Sequence, residues 1–247
     1  MMFPTKESFK LGTEFINDNK DLSIPEIENN ILVEFLLGNI PDFIKDFKEI
    51  EITINNNSIK YYVSPDYLSI GSNEDYLRIP MNPLTAQAIA SQYHCVLPTT
   101  KMVKDIWSKS NNKLDPLPWG PPYDSSMRSL YRVLVHNERI NSQLNLQNHF
   151  DLTSGHKKDV VLTNQLYPDN KNKKVAIYGW IQSNGNPIQG LNPSDHDQYY
   201  ADYSHGIRLI DRKCKVNNVD TDILNVFKDA ELSKLISNEG ILNFTSY

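Results

Sequence analysis

The feature that most constrains the fold is a proline-rich segment at residues 111–124. Proline fixes its own φ angle and lacks an amide hydrogen, so such a segment cannot continue a helix or a central strand. It therefore predicts an extended loop between residues 1–110 and residues 125–247. We expect a single domain over the 247 residues, with the alternative that two lobes flank this loop. The residues responsible are Pro116, Pro118, Gly120, Pro121 and Pro122.

The first half of the chain predicts helices followed by a β-meander. Apolar residues recur at helical spacing after Ser23 and stop at Gly38, as expected of a capped amphipathic helix. Residues 49–55 and 59–63 alternate polar and apolar residues around a run of asparagines, which predicts a hairpin. A second hairpin is expected at residues 67–79, and two helices are expected after Pro83 and Pro98.

The second half predicts a helix followed by short strands. Helical periodicity covers residues 125–145, and strand-like runs follow at residues 160–163, 175–181 and 206–210. A closing amphipathic helix is expected over residues 222–236. The sequence thus predicts an α+β fold, with a mainly antiparallel sheet and helices packed on one side.

Charge and apolar content exclude some classes of partner. The net charge of -5 and the pI of about 5.7 argue against nucleic acid, whose binding proteins usually present a basic face. No stretch approaches the roughly 18 apolar residues of a membrane span. Residues 1–20 lack the apolar run of a signal peptide, and two cysteines make no disulfide framework, so we expect a cytoplasmic protein. Removal of a leader would instead indicate a periplasmic or secreted one.

The histidine-bearing segment at residues 149–211 contains four of the six histidines and predicts an active site. His156 precedes one predicted strand and His205 begins another, a position typical of catalytic residues. We expect His205 to act as the acid-base residue, with Asp202 orienting its ring. Cys95, just ahead of a predicted helix, is the candidate nucleophile because a helix N-terminus favours the thiolate.

These residues predict a hydrolase or transferase that acts on an amide or peptide-like bond. Arg208 is expected either to hold a substrate carboxylate, since guanidinium binds carboxylates in bidentate fashion, or to pair with an internal acid. The other predicted substrate-binding residues are Lys158, Tyr203, Ser204 and Trp119. The substrate would be a small molecule, a peptide or a glycan. Glycine-rich phosphate loops are missing from the sequence, so no cofactor is expected.

A metal-dependent hydrolase is the first alternative. His156, Asp159 and His205 offer imidazole and carboxylate ligands, which suit zinc with one position left for water. The second alternative is a non-catalytic module that binds a peptide or a glycan. Its aromatic surface would be the loop from Trp119 to Tyr123.

A short motif resembles a known enzyme signature. The sequence Ser204-His205-Gly206-Ile207-Arg208 resembles the Ser-His-Gly-Cys-x-Arg signature of L,D-transpeptidases, which are cell-wall enzymes with a catalytic cysteine. The cysteine expected after Gly206 is missing, and Tyr178 stands where the family has an upstream histidine. The resemblance covers about 35 residues. It implies that Ser204, His205, Gly206 and Arg208 lie together at a strand edge, and it does not imply the family's cysteine mechanism.

Overall fold

The structure is a computed structural model that describes residues 10–144, 150–168, 171–193 and 195–247. His149, the first residue of the histidine-bearing segment, lies outside the described residues. The α-helices of the described ranges are α1 (Gly12–Asn19), α2 (Ile24–Leu36), α3 (Pro83–Gln92), α4 (Thr100–Lys109), α5 (Leu130–Asn141) and α6 (Ile223–Lys228). Short 3-10 helices lie at Asp42–Lys45, Ser125–Arg128, Asn164–Leu166 and Leu232–Leu235.

The strands confirm the predicted α+β class, with most pairs antiparallel. In chain order they are β1 (Lys48–Ile54), β2 (Asn57–Val63), β3 (Ser69–Gly71), β4 (Tyr76–Arg78), β5 (Cys95–Val96), β6 (Asn112–Lys113), β7 (Thr153–Ser154), β8 (Lys158–Val160), β9 (Ile177–Ile181), β10 (Pro187–Gln189), β11 (His205–Gly206), β12 (Ile210–Asp211), β13 (Lys213–Val216) and β14 (Val219–Asp222). No helix in the described part of the chain is long and apolar enough to cross a membrane.

The larger sheet combines strands from both halves of the chain. Its order is β14-β13-β2-β12-β5, with β1 also paired to β2. Ile210 in β12 pairs with Val63 in β2 on one side and with Val96 in β5 on the other. The chain on either side of the proline-rich loop is therefore hydrogen-bonded into one sheet.

The smaller sheet carries the histidine-bearing segment. Its order is β10-β9-β8-β11, and β11 runs parallel to β8. His205 pairs with Lys158, and Gly206 pairs with Asp159. Because side chains alternate across a strand and register partners share a face, His205 and Lys158 lie on one face of this sheet.

Side-chain caps fix where the helices begin. Ser23 and Glu26 form a capping box at the start of α2, and the side chain of Asn82 accepts from two backbone amides of α3. Thr99 accepts from the amide of Met102 at the start of α4. These bonds satisfy amides that a helix leaves unpaired at its N-terminus, so the predicted helix starts are confirmed.

The predicted closing helix over residues 222–236 is interrupted: only α6 is α-helical, and a 3-10 turn follows at Leu232–Leu235. The hairpin β13-β14 lies directly before α6. Asn217 and Asn218 both have positive φ angles, 50° and 66°, which allow a tight two-residue turn. Asp229 accepts from the amides of Glu231 and Leu232 and so interrupts the helical pattern after α6.

The predicted strand over residues 206–210 is divided between the two sheets. β11 ends at Gly206 in the smaller sheet, and β12 begins at Ile210 in the larger one. The residues between them cross from one sheet to the other and are buried. Arg208 is therefore in the interior rather than on an exposed strand face.

Candidate functional site

The candidate site lies at the end of the smaller sheet where β8 and β11 run side by side. His205 begins β11, and the loop before it carries Asp202, Tyr203 and Ser204. All four residues are buried. Of the predicted site residues, the structure places Asp202, Tyr203, Ser204, His205 and Lys158 next to one another.

His205 is the chemically distinctive residue of this group. Its side chain belongs to a residue that is only 1% exposed, yet neither ring nitrogen has a hydrogen-bond partner among the described residues. The nearest rings are those of Tyr200, edge-on with centroids 5.7 Å apart, and His196, at 6.5 Å. Buried polar groups in proteins are almost always hydrogen-bonded, so an unpartnered imidazole requires an explanation.

His196 and Tyr200 cover His205 on the side of the 195–200 loop. Their rings stack with centroids 3.9 Å apart and planes 7° apart. Both residues are half-buried, in contrast to His205 beneath them. The stack therefore separates the imidazole of His205 from solvent.

Asp202 has its oxygens engaged by neighbours other than the ring of His205. Its Oδ1 accepts from the amide and the hydroxyl of Ser204, at 2.8 and 2.5 Å, and its Oδ2 accepts from the Tyr200 hydroxyl at 3.0 Å. Burial alone raises the pKa of this carboxyl, but the neighbouring His205 and Lys158 side chains and the hydrogen bonds from Ser204 hold it below its usual value. Asp202 therefore supplies a fixed negative charge beside His205 without a hydrogen bond to its ring.

Burial and neighbouring cations keep His205 neutral. Burial is the main cause that lowers the pKa of its ring to about 4. Lys158 and His196 lower this pKa further, and the negative charge of Asp202 raises it in part. A neutral imidazole with two unengaged nitrogens can accept a proton at one and donate at the other.

Two lysines adjoin the site: Lys158 is the first residue of β8, and Lys157 directly precedes that strand. The ammonium of Lys158 lies 4.6 Å from the centre of the Trp180 ring, and burial lowers its pKa. Lys157 is 1% exposed and donates to the carbonyl oxygen of Tyr203 at 2.6 Å. Burial and the charge of Arg78 lower the pKa of Lys157 to about 7.

A second buried histidine adjoins this lysine. His136 projects from α5, is fully buried, and has no partner for either ring nitrogen within the described ranges. Its ring meets the edge of Tyr203 with centroids 4.9 Å apart. Burial and the charge of Lys157 lower its pKa, so a neutral ring lies against the inner side of the site.

Aromatic side chains border the outer side. The amide of Trp119 donates to the Tyr203 hydroxyl at 2.6 Å, which fixes the proline-rich loop to the site. The guanidinium of Arg132 lies 5.1 Å from the Trp119 ring centre. Tyr123 and Tyr131 nearby in sequence are 75% and 67% exposed and offer surface for a peptide or a sugar.

His156 belongs to a separate buried ion network. Its Nε2 lies 3.2 Å from Oδ1 of Asp66, whose Oδ2 accepts from Arg78 at 2.7 Å. Burial lowers the pKa of His156 to about 4, opposed by Asp66. Burial alone raises the pKa of Asp66, but Arg78 and His156 hold it well below its usual range. The buried contact of its ring with Asp66 indicates a structural role for His156.

Arg208 and Asp159 extend this network. Arg208 donates to the carbonyl oxygens of Ser64 and Thr153, at 2.9 and 2.7 Å, and lies over the Tyr67 ring. The Tyr67 hydroxyl donates to Asp159 at 2.8 Å. Burial raises the pKa of Asp159 to about 7, against the charge of Arg208. Because Arg208 is 1% exposed and its donors face backbone oxygens, the geometry does not support its predicted contact with substrate.

The predicted metal ligands do not converge. Within the described residues, no group of three or more histidine, cysteine, aspartate or glutamate side chains could hold a metal ion. His156 faces Asp66 and Asp159 faces Tyr67, whereas His205 lies on the other face of β8 and β11. The arrangement therefore gives no support to the zinc alternative.

Cys95 lies in the larger sheet, apart from His205. It forms β5 opposite Asp211, is 2% exposed, and directs its sulfur at the carbonyl of Tyr93. Burial and the charge of Asp211 raise the pKa of its thiol well above the usual value. The cap of the following helix is Thr99, so the helix end does not activate Cys95, and a thiolate nucleophile has no geometric support.

Some site residues carry only a weak signal in the sequence. His196 offers a further imidazole to the metal alternative, whereas Tyr200 and Lys157 do not differ in pattern from an aromatic loop residue and a solvated lysine. His136 lies on a helix 69 positions before His205 in the sequence. One signal was present: His136 falls on the apolar side of α5, between the buried residues Val133 and Ile140.

No family model, no curated protein and no solved structure matches this chain.

Proposed function

We propose that this protein is a hydrolase or transferase acting on an amide or peptide-like bond, with His205 as its acid-base residue. The observation that carries the proposal is the buried ring of His205, whose two nitrogens have no partner among the described residues. Once the stacked rings of His196 and Tyr200 move aside, a reacting water or amine and a leaving group would supply those partners.

The charges around His205 fit acyl transfer. A neutral imidazole takes a proton from the attacking water or amine and returns it to the leaving nitrogen. The ammonium of Lys158, on the same face of the sheet, would stabilise negative charge on the carbonyl oxygen in the transition state. Asp202 would stabilise the imidazolium that forms for part of the reaction. This mechanism uses water or an acceptor amine as nucleophile, with no role for Cys95.

Cell-wall peptides are the first substrates to test. The motif from Ser204 to Arg208 resembles the L,D-transpeptidase signature, and exposed tyrosines border the site. A suitable panel contains peptidoglycan-derived peptides and unrelated peptides of similar length, with products followed by mass spectrometry. Hydrolysis adds the mass of water to a fragment, and transfer creates a new peptide bond.

The decisive variant is His205→Ala, compared with wild type and with His94→Asn. General acid-base residues contribute about 10²–10⁴-fold to rate, so we expect a loss of that size in His205→Ala. His94 is an exposed histidine with a φ of 55°, a conformation that asparagine accepts. The His94→Asn control should keep its activity. Equal rates in wild type and His205→Ala would refute the proposal.

A second candidate function is a peptide- or glycan-binding module. The exposed rings of Tyr123 and Tyr131 favour it. It predicts that the protein binds members of the panel without forming products, and that Tyr131→Ala weakens binding while His205→Ala does not.

A further inference from the structure

A cavity lies near the candidate site, between the start of α2 and the loop that precedes His205. Its volume is about 610 Å³, which is in the range of small-molecule sites. The walls combine apolar side chains from α2 with charged and aromatic ones. Those that matter here are Ile24, Pro25, Glu28, Arg128, Asp197 and Tyr199.

Glu28 marks this cavity as more than a surface depression. Its Oε1 accepts from the backbone amide of Asn82 at 2.9 Å. Its Oε2 is fully buried and has no hydrogen-bond partner in the described part of the chain. Burial raises the pKa of Glu28, although the Asn82 amide and the charge of Arg128 oppose the rise. A buried, unpartnered oxygen favours a ligand that donates a hydrogen bond.

Arg128 provides the opposite charge. Its Nε and Nη2 donate to the carbonyl oxygens of Ala201 and Tyr199, at 3.2 and 2.8 Å, and its guanidinium lies 5.3 Å from the centre of the Tyr200 ring. These contacts involve one edge of the guanidinium, so the remaining nitrogen can bind an anion. Through Tyr200, Arg128 also joins the cavity to the ring that covers His205.

Asp197 adds a second carboxylate. Its Oδ1 accepts from the amide of Tyr199 at 2.8 Å, and the residue is exposed. The cavity therefore presents two acids and one arginine, with Ile24, Pro25 and the Tyr199 ring as apolar surface. Such a wall matches a small ligand that carries an amine, a carboxylate and an apolar group.

We propose that this cavity binds a zwitterionic α-amino acid with an apolar side chain, its ammonium against Glu28 and Asp197 and its carboxylate against Arg128. An amino acid of this kind is what a reaction at a peptide-like bond consumes or releases. As part of a catalytic cycle the inference rests on the proposed function, but the binding can be tested without any turnover.

Three probes separate the charges of the ligand in calorimetric titrations at neutral pH. Leucine carries both charges, leucinamide only the amine, and N-acetyl-leucine only the carboxylate. We expect leucine to bind at least about tenfold more tightly than either analogue, because each analogue lacks one of the two charged contacts. Equal affinity for the three probes, or no leucine binding up to about 10 mM, would overturn the proposal.

Matched variants then locate the binding. Glu28→Gln keeps the shape of the side chain and removes its charge, and Asp197→Asn keeps the oxygen that accepts from Tyr199. Each should weaken leucine binding by about tenfold or more. Glu74→Gln is the control, because Glu74 is exposed and does not line the cavity. Unchanged leucine affinity in both cavity variants would contradict the assignment.

His205→Ala distinguishes failure of this inference from failure of the proposed function. The variant should bind leucine like wild type, because His205 does not line the cavity. If no peptide reaction is found but leucine still binds in a Glu28-dependent manner, the cavity assignment stands alone. If peptide turnover depends on His205 but leucine does not bind, only the cavity assignment fails.

Discussion

At the scale of single residues, His205 is defined by what its ring lacks. A histidine on a strand in a packed interior normally gives at least one nitrogen to a carbonyl or a carboxylate. Here Asp202 is close enough to influence the pKa of the ring, but its oxygens are engaged by Ser204 and Tyr200. The ring of His205 is therefore a neutral imidazole whose two nitrogens have no hydrogen-bond partner among the described residues.

The titration of His205 should reflect this environment. Its ordinary pKa of 6.5 is lowered to about 4, mainly by burial, so the ring stays neutral as the pH falls from 7 to 5. Histidine ring resonances followed by NMR, with the signal assigned through His205→Gln, should titrate with a midpoint near 4 in native protein. A midpoint at 6.5 or above would show that the ring is solvated or paired with a carboxylate.

The pH dependence of kcat/KM should reflect protonation of the His205 ring. Because the neutral ring acts as the base, kcat/KM is expected to hold down to about pH 5 and to fall as the pH passes through about 4. An acid limb centred near the ordinary histidine value would contradict the assignment of His205 as the base.

At the scale of elements, the site depends on the close approach of β11 to the chain beneath it. A Cβ atom added to Gly206 would lie 2.5 Å from Cδ1 of Tyr67 and 2.7 Å from Cβ of Lys157. Neither neighbour is the flexible end of a side chain. Only glycine allows His205 and Lys158 to sit side by side at this spacing.

Gly206→Ala should therefore disturb both stability and activity. Overpacking of this kind typically costs about 1–3 kcal/mol of the free energy of unfolding, measurable by urea denaturation. Gly190→Ala is the matched control, because nothing lies within 4 Å of a Cβ at that position. A Gly206→Ala protein as stable as Gly190→Ala would mean that β11 and β8 are not packed as described.

The elements that could be predicted from the sequence are those specified by neighbouring residues. The β1-β2 hairpin follows from strict alternation around Asn55, which tolerates a φ of 54°, and α2 follows from Ser23 and its apolar spacing. The closing helix is shorter than predicted because Asp229 accepts from the amides of Glu231 and Leu232 and interrupts a pattern that still has helical spacing.

The site was less predictable because its contacts are distant in sequence. The burial of Cys95 depends on β12, and the role of His156 depends on Asp66, 90 positions earlier. A pattern of residue types locates histidines near strands, but it does not indicate which ring remains unpartnered.

At the scale of the whole molecule, the Asp66 network ties distant segments together. Asp66 follows β2, Arg78 ends β4, and His156 precedes β8. Arg78 also donates to Asn137 of α5 at 3.0 Å. With β12 paired to both β2 and β5, these links lead us to expect that the two halves of the chain unfold together.

Asp66→Asn measures how much this network contributes to the free energy of unfolding. Removing one partner of a buried ion pair leaves the other charge uncompensated and typically costs about 3–5 kcal/mol. The exposed pair Glu231 and Lys234 provides the control, since Glu231→Gln should change stability by no more than about 1 kcal/mol. Fluorescence and circular dichroism should report one coincident transition in wild type. Two separate transitions would indicate independent lobes.

The most direct test of the central claim is product formation from the peptide panel by wild type, His205→Ala and His94→Asn. The account predicts cleavage or transfer products with wild type and His94→Asn, and a rate lower by about 10²–10⁴-fold with a folded His205→Ala protein. Equal product formation by His205→Ala, or no product from wild type across the panel, would contradict it.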